Sequence, residues 1–165
     1  MLRRLRIENL VLIREAELEF APGLNVLTGE TGAGKTIFAQ AIGLLLGSRG
    51  DAAAVGPAGD EAYVEAEFDV PESLLGEDEL SAIEEVRPAG EVGKVLARRI
   101  FPDGRTRAYA WGRAVAVRDI VLSPIPMAIG LALGVDGARY AFEGSRFFWN
   151  PLNGPISLAI RADCA

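Results

Sequence analysis

The chain has 165 residues, of which 50% are apolar and 24% charged, so it is long enough for one globular domain with a hydrophobic core. The absence of histidine excludes imidazole as a general base or metal ligand, and the single cysteine excludes an internal disulfide. A net charge of −6 argues against attraction of the whole surface to nucleic acid, but it leaves room for a local basic patch.

Cysteine usage and the N-terminal sequence together predict a cytoplasmic protein. The early arginines are followed by Glu8 and Asn9 before any apolar run long enough for an export signal. The most apolar stretch, residues 120–135, is shorter than the roughly 20 residues of a membrane helix and contains Pro124 and Pro126. We therefore expect no membrane span.

The first predicted elements are three strands. Leu5 and Ile7 alternate with arginines, and residues 15–20, EAELEF, alternate acidic and apolar side chains, which is the period of half-buried strands. After a turn at Pro22, the segment LNVLT over residues 24–28 is a short apolar run. It predicts a buried strand that leads directly into a glycine-rich loop.

Residues 29–36 read GETGAGKT and match G-x-x-x-x-G-K-S/T, the pattern of a phosphate-binding loop between a strand and a helix. Residues 35–46 are apolar nearly all round, which predicts that helix, packed against a sheet. The glycines let backbone N–H groups surround an anion, and the helix adds the positive end of its dipole. Lys35 is predicted to reach the β and γ phosphates and Thr36 to offer its hydroxyl to Mg²⁺. The alternative is a glycine-rich turn that matches by accident. The candidate nucleotide-binding residues are Gly29, Glu30, Thr31, Gly32, Ala33, Gly34, Lys35 and Thr36.

The middle of the chain predicts a loop, a strand, a short helix and a hairpin. Residues 47–61 are rich in glycine and alanine and predict a loop. Residues 72–85 are acidic and predict a short exposed helix that only Leu74, Leu75, Leu80 and Ile83 can dock. Two strand-like runs flank the turn sequence PDG and predict a hairpin. One face of the strand before the acidic segment is predicted to carry Ala62, Val64, Ala66, Phe68 and Val70.

Six arginines on and after the hairpin form a candidate basic cluster for nucleic-acid phosphates. Charged strand edges that prevent aggregation are the alternative explanation. These residues are Arg98, Arg99, Arg105, Arg107, Arg113 and Arg118.

The composition changes near Asp119, after which charged residues become sparse and no period is sustained.

The segment after this change contains one candidate catalytic carboxylate. Besides the phosphate loop, hydrolysis needs a carboxylate that helps to hold the metal, often at the end of an apolar strand. Asp136 ends the run IGLALGVD, but Gly130 and Gly134 weaken a strand there, so a turn aspartate is the alternative.

Residues 2–51, from LRRLRIENLVLIREAELEF through GLNVLTGETGAGKT to GSRGD, resemble the opening of the RecN family of bacterial double-strand-break repair proteins, which are related to the SMC ATPases. The Glu30-Thr31 pair within the loop is typical of RecN. The resemblance continues through YVEAEFDV and LARRIFPDGRTRAYAWGRAVAV to about residue 118. It divides the chain into a RecN-like lobe, residues 1–118, and an unassigned tail, residues 119–165.

The resemblance implies an α/β fold, namely the N-terminal lobe of an ABC-type P-loop ATPase head with a mixed sheet around the phosphate-loop helix and an antiparallel hairpin. It also implies ATP and Mg²⁺ as cofactors, DNA as a partner, a head-to-head homodimer that sandwiches ATP, and a nucleoid-associated bacterial protein. Arg49 lies where SMC-like heads often place a functional arginine, although a solvent-exposed loop arginine is an equal alternative.

The chain departs from the family pattern after residue 118. The only glutamine is Gln40, so the family's glutamine loop is absent, as are a signature sequence and a heptad run for the coiled coil. A truncation or a shifted reading frame is our hypothesis for the tail. We expect a lobe that binds ATP without hydrolysing it alone. The alternatives are a small self-sufficient P-loop kinase or ATPase that uses Asp136 or a residue near Asp69, and a non-functional fragment; ATP and GTP are not distinguished.

Overall fold

A computed structural model describes residues 2–21, 23–27, 33–69, 81–91, 93–122, 141–143, 146–148 and 158–162. Its largest element is a six-stranded antiparallel sheet with the strand order β2-β1-β4-β5-β6-β7. The two early strands and the predicted hairpin are therefore confirmed, and all six strands belong to one sheet. These strands are β1 (Leu2–Leu10), β2 (Ile13–Glu19), β4 (Ala62–Phe68), β5 (Lys94–Ile100), β6 (Thr106–Ala110) and β7 (Arg113–Val115).

Side-chain alternation gives the sheet one apolar face and one charged face. On β4, Ala62, Val64, Ala66 and Phe68 are buried as predicted, and Val70 lies outside the described residues. The opposite face carries rows of opposite charge, in which Arg4 pairs across strands with glutamates of both neighbours. Its ion-pair partners are Glu17, Glu65 and Glu67.

Helix α1 (Ala33–Leu45) packs on the apolar face and contacts β1, β4 and β5. Ile37, Phe38, Ala41 and Leu45 are almost fully buried within the same core as the strand residues. The predicted buried helix is therefore confirmed, and it begins inside the predicted phosphate loop. α1 has no acidic residue in its first turn and no basic residue in its last, so side-chain charges do not stabilise its ends. The helix is therefore stabilised mainly by burial of its apolar face.

The loop after α1 begins with a helix cap. Gly47 has φ +99° and donates to the Leu44 carbonyl at 3.1 Å, while the Ser48 amide donates to the Gly43 carbonyl at 2.9 Å, which is a Schellman ending. Further on, a 3₁₀ turn spans Ala52–Ala54. The predicted loop is thus ordered over much of its length.

Asn9 fastens residues 55–61 to the sheet. Its side chain accepts from the Ala58 amide at 2.8 Å and donates to the Gly59 and Glu61 carbonyls at 3.0 and 2.9 Å. Asn9 has φ +49° and is 6% exposed, so its buried side chain makes these bonds to a partly exposed segment. Gly56 packs against it so closely that a Cβ there would lie 2.6 Å from the Asn9 Oδ1.

The described end of the acidic segment is helical and is anchored to the sheet, while residues 72–80 of the predicted helix lie outside the described residues. Helix α2 (Ser81–Glu84) buries Ile83, while Leu74, Leu75 and Leu80 lie outside the described residues. Glu84 pairs with Lys94 of β5, so this helix is tied to the sheet by charge as well as by apolar packing.

The hairpin turn at Gly104, with φ +78°, follows the prediction from PDG. A second turn follows β6, in which Trp111 and Gly112 adopt φ +46° and +75° and reverse the chain into β7. The sequence analysis did not predict this edge strand, which has only three residues. Positive φ at a tryptophan is unusual, and hydrogen bonding of its Nε1 to the Gly93 carbonyl at 3.1 Å helps to hold it.

The region around the composition change folds as helix α3 (Val117–Leu122), in which Ile120 is buried. Beyond it, β8 (Ala141–Glu143) pairs with β9 (Arg146–Phe148), and β10 (Leu158–Ala162) pairs antiparallel with β3 (Gly23–Leu27). Over the part of the chain that the structure describes, no helix is long and apolar enough to cross a bilayer.

Candidate nucleotide-binding site

The candidate site lies between β3 and α1, as the sequence predicts. β3 ends at Leu27 and α1 begins at Ala33, so GETGAGKT spans the connection and the first helical turn. Four of its predicted residues, Gly29, Glu30, Thr31 and Gly32, lie outside the described residues. The flanking strand and helix are therefore confirmed, and the loop geometry stays a prediction.

The remaining four predicted residues form the first turn of α1. Ala33, Gly34 and Lys35 contribute helical backbone, whose first N–H groups have no partner within the helix. Thr36 is exposed, so its hydroxyl is available to a metal or to phosphate oxygens. The first turn has no acidic side chain that would repel an anion. The described part of the predicted site thus offers helical N–H groups and the Thr36 hydroxyl, which are groups that bind phosphate oxygens and Mg²⁺.

The turn that precedes β3 is held by side-chain hydrogen bonds and by a contact with α1. Asn25 closes the turn before the strand, because its Oδ1 accepts from the Ala21 amide at 3.1 Å and its Nδ2 donates to the Ala21 carbonyl at 2.8 Å. Phe20 lies against Phe38 of α1 with the ring centroids 6.1 Å apart. The segment entering the loop and the helix leaving it therefore pack on each other.

The opposite end of α1 meets a buried charge that the sequence analysis assigned to a surface cluster. Arg98 is only 2% exposed, and its Nη1 donates to the Leu44 carbonyl at 3.2 Å while its Nη2 donates to the Thr106 hydroxyl at 2.9 Å. Burial lowers the pKa of its guanidinium. The predicted role of Arg98 in an exposed basic cluster is therefore wrong. Its neighbours Leu96 and Ile100, which share its face of β5, were the signal for burial.

The other five arginines of the cluster do not form one uniform patch either. Arg105 and Arg118 pair with Asp103 and Asp119 at 2.5 and 3.4 Å. Arg107 lies over the Phe101 ring at 5.6 Å, and Arg113 is exposed on β7.

Arg99 is held most firmly of these five. Its guanidinium lies 5.1 Å from the Tyr63 ring centroid and 5.5 Å from that of Tyr109, and its Nη1 is 2.6 Å from the Glu61 carboxylate. Burial and a 2.6 Å hydrogen bond to Glu65 raise the pKa of Tyr63. Glu61 pairs with the Arg99 charge within the sheet face, although the buried Nε of Arg99 has no hydrogen-bond partner. Arg99 therefore contributes little to attraction of a phosphate backbone.

The candidate catalytic carboxylates are not brought to α1 within the described chain. Asp69 forms an ion pair with Arg3 at the end of β4, and Asp136 lies outside the described residues. No group of three carboxylate or cysteine side chains that would hold a metal occurs among the residues with described positions. Arg49 is exposed in the loop after α1.

A mixed α/β lobe, with a phosphate-loop sequence between β3 and α1 and an antiparallel sheet on one side of the helix, defines the N-terminal lobe of an ABC-type P-loop ATPase head. The predicted fold class is therefore confirmed, with antiparallel pairing throughout the described ladders. The SMC head domain of Pyrococcus yayanosii superposes with a TM-score of 0.57 and 21% identity over 72% of this chain and 24% of that one. The recombination mediator protein RecF with ATP gives a TM-score of 0.55 and 18% identity over 73% of this chain and 29% of that one.

The family profile of the AAA domain matches residues 4–95, and the chain belongs to that family. Among curated proteins, the DNA repair protein RecN of Mycobacterium bovis is 40% identical over 126 residues, which cover 73% of this chain and 21% of that protein. The resemblance to RecN is thus confirmed. The chain spans about a fifth of the length of the curated relatives it matches.

Proposed function

We propose that this chain is the ATP-binding N-terminal portion of a RecN-like protein of DNA double-strand-break repair and recombination, and that it does not complete ATP hydrolysis alone. The observation that carries the proposal is the GETGAGKT sequence between β3 and α1, with Thr36 exposed in the first helical turn. The 40% identity to a DNA repair protein RecN supports the role in repair, and the fold shared with a structure of RecF with ATP supports ATP as the nucleotide.

The assigned roles follow from the chemistry of the motif. Backbone N–H groups of the loop and of the first turn bind phosphate oxygens, Lys35 contributes its charge there, and Thr36 contributes a hydroxyl to Mg²⁺. The metal neutralises charge on the β and γ oxygens when it is bound. The proposed nucleotide site comprises Gly29 to Thr36.

Incomplete hydrolysis is proposed because the sequence lacks the glutamine loop and the signature sequence of the family. Hydrolysis requires a second metal-holding carboxylate and a group that orients water. Asp69 is paired with Arg3 instead. In the proposed assembly, a C-terminal lobe and a second head supply those groups, the heads dimerise around ATP, and the complex acts on DNA in the bacterial cytoplasm at the nucleoid. Residues 1–118 form the RecN-like lobe in this proposal, and residues 119–165 are the unassigned tail, of which Ile120 packs in the same core and β10 pairs with β3.

The test is equilibrium binding of a fluorescent ATP analogue to the purified chain with Mg²⁺, together with release of phosphate from ATP. We expect saturable binding that Lys35→Met weakens by about tenfold or more, since it removes a charge-assisted contact with phosphate, and negligible turnover. Absence of binding overturns the assignment of the site. Robust turnover by the monomer that Asp136→Asn abolishes would instead identify a self-sufficient ATPase.

A further inference from the structure

Arg98 is a buried cation without a carboxylate partner in the described part of the chain. Its side chain enters the apolar face of the sheet below α1 and is 2% exposed. The other buried cation on β5, Lys94, forms an ion pair with Glu84. The partners of Arg98 are neutral oxygens, and its Nε has no hydrogen-bond partner at all.

Such an arrangement is costly for folding. An uncompensated charge in a protein interior loses its hydration, and well-packed apolar residues often replace buried ionic groups without loss of stability. The main compensation visible here is the negative end of a helix dipole, because Leu44 lies in the last turn of α1. Stability alone therefore does not account for an arginine on this face of β5.

The geometry of the two hydrogen bonds gives a different account. The planar guanidinium reaches Leu44 on α1 with one nitrogen and Thr106 on β6 with the other, from a backbone position on β5. The Leu44 carbonyl also accepts the Gly47 amide at 3.1 Å, so this oxygen is held from both the cap and the sheet. Arg98 thus fixes the C-terminal end of α1 against the β5–β6 hairpin.

The N-terminal end of the same helix carries the proposed phosphate-binding turn. Ala33 and Leu44 belong to one continuous helix and are about 16 Å apart along its axis at about 1.5 Å per residue. A shift at Leu44 therefore displaces the N–H groups at Ala33 relative to β3. Displacements of about 1 Å are enough to weaken the alignment of several hydrogen bonds at once.

We propose that Arg98 is a positioning residue for the nucleotide site: by holding Leu44 and Thr106 together, it sets the axial position of α1 and so the affinity for the triphosphate. This inference rests on the proposed function. It explains the buried charge of Arg98 by a contribution to the affinity for the triphosphate.

The test compares binding of Mg-ATP and urea unfolding for the full chain and four variants. Arg98→Met removes both hydrogen bonds and the charge, Arg98→Lys keeps the charge but cannot span both acceptors, and Thr106→Val removes one acceptor. Arg99→Met is the matched control, because Arg99 lies on the opposite face of the same strand. We expect Arg98→Met to weaken binding about tenfold or more without a lower unfolding midpoint. Arg98→Lys and Thr106→Val should give intermediate affinities, and Arg99→Met the wild-type affinity.

The outcomes separate the inference from the function on which it rests. If the wild-type chain shows no binding that depends on Lys35, the proposed function fails and the inference with it. If wild-type binding depends on Lys35 but Arg98→Met binds within about twofold of it, the positioning role is overturned and the function stands. Should Arg98→Met fail to fold, Arg98→Lys decides, because wild-type affinity in that variant overturns the role as well.

Discussion

Lys94 and Glu84 form an ion pair in which the lysine is nearly inaccessible, with 5% of its side chain exposed, and the carboxylate is 30% exposed. The Lys94 ammonium also lies 5.6 Å from the centroid of the Trp111 ring. These two contacts of Lys94 join α2, β5 and the turn before β7. An ion pair thus helps to hold the acidic segment on the sheet, where the sequence predicts only the docking of apolar side chains.

The pH dependence of stability should include a term from this pair. Burial has the largest effect on Glu84 and raises its pKa, but hydrogen bonds from Lys94 and Arg87 and the attraction of their charges outweigh it and hold the pKa below its ordinary value of 4.5. A lowered folded-state pKa contributes stability that is fully present above 4.5 and is lost as the pH falls through the folded value. Glu84→Gln should remove this acid-dependent term from urea unfolding curves. At neutral pH it should cost roughly 2 kcal/mol, less than for a fully buried pair.

The control for that measurement is the double variant Lys94→Met with Glu84→Gln. It should recover part of the loss, because no buried ammonium is left unpaired. If Glu84→Gln leaves the acid limb of the stability profile unchanged, the ion pair does not form in solution.

Asn9→Ala should destabilise the chain by about 3 kcal/mol, because it removes three partly buried hydrogen bonds and places alanine at φ +49°. Asn9→Gly relieves the backbone but not the hydrogen bonds, so it separates the two contributions. Free energies of unfolding from urea titration test both. Equal stability of Asn9→Ala and the wild type would show that residues 55–61 are held by other means.

Gly47→Ala should cost about 1 kcal/mol, because φ +99° at the end of α1 is unfavourable for a residue with a Cβ. Gly47→Asn is the matched variant and should cost less, since asparagine tolerates left-handed backbone better than alanine. Thermal unfolding of both variants measures the order. The reverse order would mean that the helix does not end in this cap.

Thr36→Val should weaken binding of ATP in the presence of Mg²⁺ while leaving binding without the metal nearly unchanged, because it removes only the hydroxyl. Thr36 is exposed, so the substitution has little effect on folding. Thr36→Ser keeps the hydroxyl and should retain the metal effect. Titration of the ATP analogue with and without Mg²⁺ provides the measurement, and an equal loss under both conditions would contradict a role at the metal.

Much of the architecture could be predicted from local patterns, and the failures have physical causes. Strict alternation located β4, and an apolar run on each side of GETGAGKT located β3 and α1. β7 is too short for alternation to be read, and its turn depends on a positive φ at Trp111, which no propensity predicts. The prediction for Arg98 was wrong because it relied on the charge of the residue and ignored the alternation of the strand. Adjacent residues of a strand face opposite sides of the sheet, so one of the two neighbouring arginines must face the core.

The two outer strands of the six-stranded sheet bear on how this protein behaves in concentrated solution. β2 bears Arg14 and three exposed glutamates, Glu15, Glu17 and Glu19, and the opposite edge is closed by β7, which has only three residues. An incoming strand from another copy would therefore meet either like charge or too few free backbone groups to form a ladder. Growth of this six-stranded sheet into a cross-β assembly is therefore unfavourable at both of its edge strands.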